Sequence, residues 1–262
     1  MFVKHDVVDS KIEENAKLWR YMDFTKLVSL ISTQQLYFCR ADKFKDKFEG
    51  RLFGFQVEDM RKNLERIIGE YEVYGTDRRI VIDSSVIEQA EILTDQAYYM
   101  ANCDRERTFV NCWHLNEYES AAMWDLYLKS NEGIAIQTNF GRLKRSLNCC
   151  KENIYIGRVK YIDHNKESNF GNGLSPFFTK RNSFSHEQEV RLLYSATLDN
   201  NPNTLPDKNI IGVNFQINLG DLIESVYVSP DAAPWFVDVV KVVLNKFNID
   251  VEVIHSKLYE LN

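Results

Sequence analysis

The apolar positions along this chain fall into short runs that suit strands and longer runs at helical spacing. Asp23 is a good N-cap, and Leu27, Leu30 and Ile31 recur at helical spacing behind it, so a helix is predicted after Trp19-Arg20-Tyr21. Residues 36–40 read as a short strand, followed by a charged loop over 42–49. From residue 52 to about 100 the pattern is mostly helical and strongly charged, with Leu64, Ile67 and Ile68 on one face. Gly75-Thr76-Asp77 marks a turn, and helical spacing resumes over 84–97. This stretch predicts a helical insertion over a smaller sheet core.

Residues 108–113 predict a strand, and Asn116 with Glu119 forms an asparagine version of the capping box, predicting a helix over 117–128. Asn131-Glu132-Gly133 predicts a turn into a strand over 134–138. Further strands are predicted over 154–162, 190–194, 210–215, 225–228 and 251–255. A late helix over 234–247 tolerates Pro234 in its first turn. Polar segments 165–175 and 199–207 read as loops. Strands and helices mix without regular βαβ alternation, and neither a repeat nor a proline- or serine-rich linker divides the chain. The expectation is one elaborated α+β domain over 1–262, with a mixed or largely antiparallel sheet.

Composition narrows the class. With 262 residues, 44% hydrophobic and 27% charged, the chain can bury a substantial core. A net charge of −6 argues against a general nucleic-acid coat but leaves a local basic patch open, so nucleic acid stays among the partners. Cys39, Cys103, Cys112, Cys149 and Cys150 have no zinc spacing, and the N-terminus lacks the order of an export signal. Free thiols in a reducing cytoplasm are therefore expected. No apolar run reaches the roughly 18 residues of a bilayer span, so no membrane association is expected.

The residues most suggestive of chemistry are Glu187, Glu189 and Arg191. If the segment is a strand, these three share one face, while Val190 and Leu192 take the other. Ionisable groups in line on a core-bound strand must pair or face a cleft. Either Glu187 and Glu189 act on a substrate, or Glu189 pairs with an arginine and pins the strand. Arg20 and Arg40 each end an aromatic-containing segment and suit phosphate or carboxylate recognition; the alternative is an ion pair with Asp46 or Glu49. Phe44 and Phe48 would clamp their loop, leaving Asp46 and Glu49 to hold Arg20, line a cleft or cap a turn. His114 stands where a strand meets a helix, as a ligand contact, an acid or base, or a satisfied structural residue. Cys112 reads as a buried thiol, and Met123 and Trp124 as core, with Tyr127 able to reach a pocket. No histidine sits at metal-pair spacing, so no metal ligands are assigned. Walker, Gly-x-Gly-x-x-Gly and Gly-x-Ser-x-Gly motifs are absent from the sequence.

Five ordered blocks, Arg20-Tyr21, residues 44–49, 112–114, 123–127 and 187–191, together resemble the bacterial family catalogued as domain of unknown function 2971. The resemblance runs from about Leu18 to Leu258. Lys45 and Lys47 replace the family's usual asparagine and proline, Trp113 and His114 replace phenylalanine and serine, and Leu126 stands where many relatives carry histidine. The family name supplies no activity. A looser similarity to ADP-ribosyltransferases lies in the order Arg20, then His114 or Tyr127, then Glu187-Gln188-Glu189, which in those enzymes belongs to a small split sheet. That similarity implies NAD as substrate, with Glu189 stabilising a ribosyl cation, Glu187 orienting the acceptor, and Arg20 or Arg40 holding the diphosphate. Two other classes fit the same residues. One is a metal-dependent nuclease or phosphodiesterase with magnesium on Asp46, Glu187 and Glu189. The other is a non-enzymatic sensor or interaction module in bacterial stress or phage defence.

Overall fold

The computed structural model describes residues 2–3, 11–52, 54–71, 82–128, 130–163, 165–167, 173–198 and 209–260. The predicted turn at Gly75-Thr76-Asp77, the loop over 199–207 and the middle of the loop over 165–175 lie outside them.

The chain opens with strands β1 (Phe2–Val3) and β2 (Lys17–Asp23), helix α1 (Phe24–Thr33) and strand β3 (Gln35–Arg40). Helices α2 (Gly54–Tyr71) and α3 (Ser84–Arg107) lie between β3 and β4 (Thr108–Leu115), and helix α4 (Ala121–Tyr127) precedes β5 (Gly133–Asn139). Helix α5 (Phe140–Ser146), β6 (Ile154–Arg158), β7 (Lys160–Ile162), β8 (Thr179–Arg181) and β9 (Glu189–Ser195) follow. The chain closes with β10 (Gly212–Gln216), helix α6 (Leu219–Leu222), β11 (Ser225–Val228), helix α7 (Pro234–Lys246) and β12 (Glu252–His255).

The architecture is α+β. One mixed, mostly antiparallel sheet runs β1-β6-β9-β4-β2-β5-β11-β12, with β10 and β3 branching from β4; β7 and β8 form a separate parallel pair. The branch positions the site. One edge of β4 pairs with β9 along almost its whole length. Its other edge is shared by two strands. Cys39 and Arg40 of β3 sit opposite Val110 and Phe109, whereas Leu18 and Trp19 of β2 sit opposite Leu115 and His114. Between these contacts Asn111, Cys112 and Trp113 have no strand partner on that side, so the sheet splits into a wedge. Helix α1 crosses from β2 to β3 and lines the wedge with Lys26, Ser29 and Leu30.

The main core gathers Leu27, Leu30 and Ile31 of α1 with Phe109, Trp113, Val190, Leu192 and the apolar faces of β5, β11 and α7. The periodicity read for α1, β9 and α7 therefore marks their buried faces.

Four elements differ from the sequence reading. Trp19-Arg20-Tyr21 does precede the predicted helix, now α1, but it does so as the middle of a strand, β2, that the sequence did not reveal. Leu18, Trp19, Tyr21 and Met22 are all buried, because this internal strand is covered on both faces and shows no alternation. The capping box at Asn116 does not form. The Asn116 N–H donates to the Lys17 carbonyl (3.3 Å), and its own carbonyl accepts the Trp19 indole N–H (2.8 Å), which extends the β2–β4 pairing. The helix starts later, at Ala121. Glu119 accepts from the Trp124 indole (3.0 Å) and the Ser256 hydroxyl (2.6 Å) instead. The strand predicted over 154–162 breaks into β6 and β7 at Val159. The helical insertion continues to Arg107 and runs directly into β4. Among the described residues, no helix is long and apolar enough to cross a membrane.

Candidate functional site

The wedge opens into a cleft of about 900 Å³. Two side chains occupy backbone positions that a continuous sheet would have filled. Arg20 Nη1 donates to the Cys112 carbonyl (2.8 Å), and Asn111 Nδ2 donates to the Tyr37 carbonyl (2.8 Å). The Asn111 side-chain oxygen Oδ1 in turn accepts from the Trp113 indole N–H (2.8 Å). The split is thus satisfied by polar side chains, as a buried strand edge requires.

On one wall of the cleft sits an ionic cluster. Lys180 Nζ donates to Glu187 (2.9 Å) and Glu189 (2.8 Å) and lies 3.1 Å from Glu49. Arg191 donates through Nε to the second Glu189 oxygen (2.6 Å), through Nη2 to Glu49 (2.5 Å) and through Nη1 to the Phe177 carbonyl (2.7 Å). All five charged side chains are buried, Arg191 to within 1%. Glu49 reaches the cluster because Gly50 turns the loop with φ +70° and approaches Phe177 closely: a Cβ there would lie 2.5 Å from the ring.

Three carboxyls thus face two cations, and that imbalance sets their ionisation. Burial raises Glu187 first, the adjoining Glu189 carboxyl raises it further, and Lys180 opposes both; the result is a pKa pushed up to about 7. Burial also disfavours the Glu189 anion. Arg191 and Lys180 outweigh it and hold this carboxyl well below the usual range. Lys180 and Arg191 lose solvation too, but Glu189 and Glu49 keep both firmly charged. With a proton on Glu187, the cluster is neutral: Glu49 and Glu189 balance Lys180 and Arg191. Both Glu189 oxygens are held by cations, whereas Glu187 meets a single cation, Lys180, and otherwise adjoins the Glu189 carboxyl. Glu187 is therefore the carboxyl best placed to exchange a proton near neutral pH.

The structure brings Glu187, Glu189, Arg191, Arg20, His114, Tyr127 and Asp46 to the same cleft. The route for Glu187 differs from the expected strand face. It ends a 3-10 turn (Asn182–Glu187), and Gln188, in a left-handed conformation (φ 38°), separates it from β9. Alternation joins only Glu189 and Arg191, which face the cleft while Val190 and Leu192 enter the core.

Arg20 is half-buried and makes no ion pair with Asp or Glu among the described residues. Its guanidinium lies 5.8 Å from the Trp113 ring centre, and burial lowers its pKa. His114 is 2% exposed. Its Nδ1 lies 2.7 Å from the Glu187 carbonyl, which can only accept, so Nδ1 carries the proton and Nε2 is an acceptor. Burial lowers the imidazole pKa and keeps it neutral. Asp46 accepts through one oxygen from Arg181 Nη2 and the Phe48 N–H (3.0 Å each) and does not hold Arg20. Tyr127 lines the cleft from the end of α4, and burial, then Cys112 and the acids, raise its hydroxyl pKa.

Arg40 is not brought to the cleft. Asp42 grips it through Nε (2.6 Å) and Nη2 (3.1 Å) beside the β3–β4 junction, so the acid that meets it is neither Asp46 nor Glu49. Phe48 is also not a buried anchor. It is 48% exposed and lies 4.5 Å from the Arg181 guanidinium; Phe44 alone packs inward.

Sequence reading missed Lys180, the residue that ties the three acids together, along with Arg181 and Phe184. Lys180 lies 4.7 Å from the Phe184 ring centre. The available signal was local: Thr179-Lys180-Arg181 follows a Phe-Phe pair and stands a few residues before the two glutamates. Among the described residues, no three His, Cys, Asp or Glu side chains are arranged to hold a metal ion. No protein-family model matches this chain, and no curated protein is significantly similar to it.

Proposed function

We propose that the split-sheet cleft is the active site of an NAD-consuming enzyme of the ADP-ribosyltransferase or NAD glycohydrolase type. The observation that carries this reading is the pairing of an unpaired guanidinium on one wall with a proton-exchanging carboxyl on the other. Arg20, with no acidic partner among the described residues, suits a diphosphate. Glu187, with a pKa near 7, suits the acceptor.

In the reaction the bond from nicotinamide nitrogen to ribose breaks, and nicotinamide leaves with the bonding electrons. A water or hydroxyl oxygen then bonds to the ribose carbon, and its proton passes to the Glu187 carboxylate. Glu189 is a positioning residue in this scheme. Two cations already neutralise it, so it contributes little field to a ribosyl cation, and its work is to hold Lys180 and Arg191 around Glu187. The weight therefore moves from Glu189 to Glu187. Arg40, paired with Asp42, has no part.

The test is the pH profile of nicotinamide release without added metal. Release should rise through about pH 7 as Glu187 ionises. A flat profile, or activity that depends on magnesium and vanishes with chelator, sinks the proposal and favours the nuclease reading. In that reading magnesium would have to displace Lys180 from Glu187 and Glu189.

A second reading, a ligand-binding sensor without turnover, is favoured by one observation: every acid of the cluster already has a cationic partner. It predicts binding of a nucleotide-type ligand with no product.

A further inference from the structure

Two buried acceptors on residues that border the cleft have no protein partner among the described residues: His114 Nε2 and Asp46 Oδ2. Each belongs to a side chain less than a tenth exposed. The hydrogen bond from His114 Nδ1 to the Glu187 carbonyl fixes the tautomer, so Nε2 can only accept. One of the Asp46 oxygens is saturated by Arg181 and the Phe48 N–H, and the other is bare. A buried acceptor left unmet costs free energy, and the two residues that carry these atoms border a cavity large enough for a nucleotide. The Arg20 guanidinium completes the pattern as a donor without an acid among the described residues.

We infer that His114 is a ligand-binding residue whose Nε2 accepts a hydrogen bond from a hydroxyl or amide N–H of the bound molecule, with Asp46 Oδ2 as a second acceptor. The chemical class follows from the complementarity. The ligand carries an anionic group for Arg20 and, beside it, neutral donors such as the hydroxyls of a ribose. A bare anion meets only half of the site. This deepens the NAD reading and rests on it for the choice of ligand.

The substitution that isolates Nε2 is His114→Asn. The asparagine amide reproduces the Nδ1–H position and keeps the bond to the Glu187 carbonyl, but it does not reach as far as Nε2. His114→Gln restores an acceptor at the longer reach. Binding of ADP-ribose and of inorganic pyrophosphate to the full chain is measured by calorimetry. His114→Asn is expected to weaken ADP-ribose about tenfold or more and to leave pyrophosphate unchanged, while His114→Gln recovers part of the loss. Arg20→Gln should weaken both ligands. Equal ADP-ribose affinity in wild type and folded His114→Asn overturns the inference, as does wild type that binds pyrophosphate but not ADP-ribose. Nicotinamide release from NAD is scored separately. Release without a His114 effect overturns the inference and leaves the enzyme reading, whereas a His114-dependent affinity without release does the reverse.

Discussion

Replacing Lys180 with methionine tests the ionic cluster most severely. Methionine keeps most of the aliphatic volume and removes an ammonium lying 2.8, 2.9 and 3.1 Å from three carboxyls. The side chain is 6% exposed, so water does not replace the lost contacts. Removing one partner from a buried ion pair costs about 3–5 kcal/mol, much of it from charge left uncompensated. Domains of ordinary stability hold about 5–15 kcal/mol, so the loss is a large fraction of the total. For a domain of about 150–250 residues each kcal/mol lowers Tm by about 2–4 °C, which gives a drop of about 10 °C.

The loss has a pH signature. At pH 5 the orphaned acids can take up protons cheaply, whereas at pH 8 they must remain charged or pay more to protonate. Urea unfolding should therefore show the larger deficit at pH 8, read from the midpoint at constant slope. Adding Glu49→Gln leaves Glu189 against Arg191, with Glu187 protonated, and should recover part of the deficit. A Lys180→Met protein within about 1 kcal/mol of wild type at both pH values would mean that the cluster behaves as a solvated surface network, and the charge accounting would fail.

Glu187 should impose its own pH dependence on stability. Its folded pKa is raised to about 7, so its contribution is fully present below the unfolded carboxyl value of roughly 4.3 and is lost as pH rises through about 7. Glu189, held low, acts oppositely and loses its contribution as pH falls below the unfolded value. His114, kept neutral, also loses its contribution as pH falls through its unfolded value. The difference between wild type and Glu187→Gln isolates the first effect and should slope only between about pH 4 and 7; no slope refutes the raised pKa. Gly50→Ala should destabilise the protein by about 1–3 kcal/mol, since it strains a left-handed residue against the Phe177 ring; an unchanged urea midpoint contradicts the close approach. Arg20→Gln, whose amide stops short of Nη1 and gives up the bond to the Cys112 carbonyl, should lower Tm by a few degrees and remove the salt dependence of pyrophosphate binding; salt-dependent binding that survives places the anion elsewhere.

Much of the fold was legible because periodicity reports burial. The helix after Asp23 and the late helix behind Pro234 each bury one regular face, and the strands from Val190 and at 225–228, covered on both faces, show as short apolar runs. β2 was illegible because both of its faces are covered and Arg20 interrupts the apolar run, so Leu18, Trp19, Tyr21 and Met22 give neither alternation nor an unbroken stretch. The Asn116 motif misled because strand pairing claimed the backbone groups that a cap would have used. At the site, the charged positions of Glu189 and Arg191 were visible as acids and bases on an apolar strand. The left-handed Gln188 was not, as nothing in a Glu-Gln-Glu sequence announces a chain reversal. Lys180 and Arg40 show the same limit from opposite sides. Lys180 is central because β8 and the 3-10 turn bring it back onto β9. Arg40, which sits in an equally suggestive segment, is absorbed by Asp42 two residues away. Side-chain partners at long sequence distance are set by topology, and the fork at β4 could not be read from any local pattern.

In the proposed reaction Glu187, held by Lys180 in the wall of the split-sheet cleft, takes up the proton as NAD is cleaved. The measurement that tests this step most directly is nicotinamide release from NAD by wild type, Glu187→Gln and Glu189→Gln, each confirmed folded and assayed at pH 8 without added metal. The account predicts release by wild type and its loss in Glu187→Gln. It predicts a smaller, stability-linked decrease in Glu189→Gln. Undiminished release from folded Glu187→Gln, or no release from wild type with water or an added acceptor protein, contradicts it.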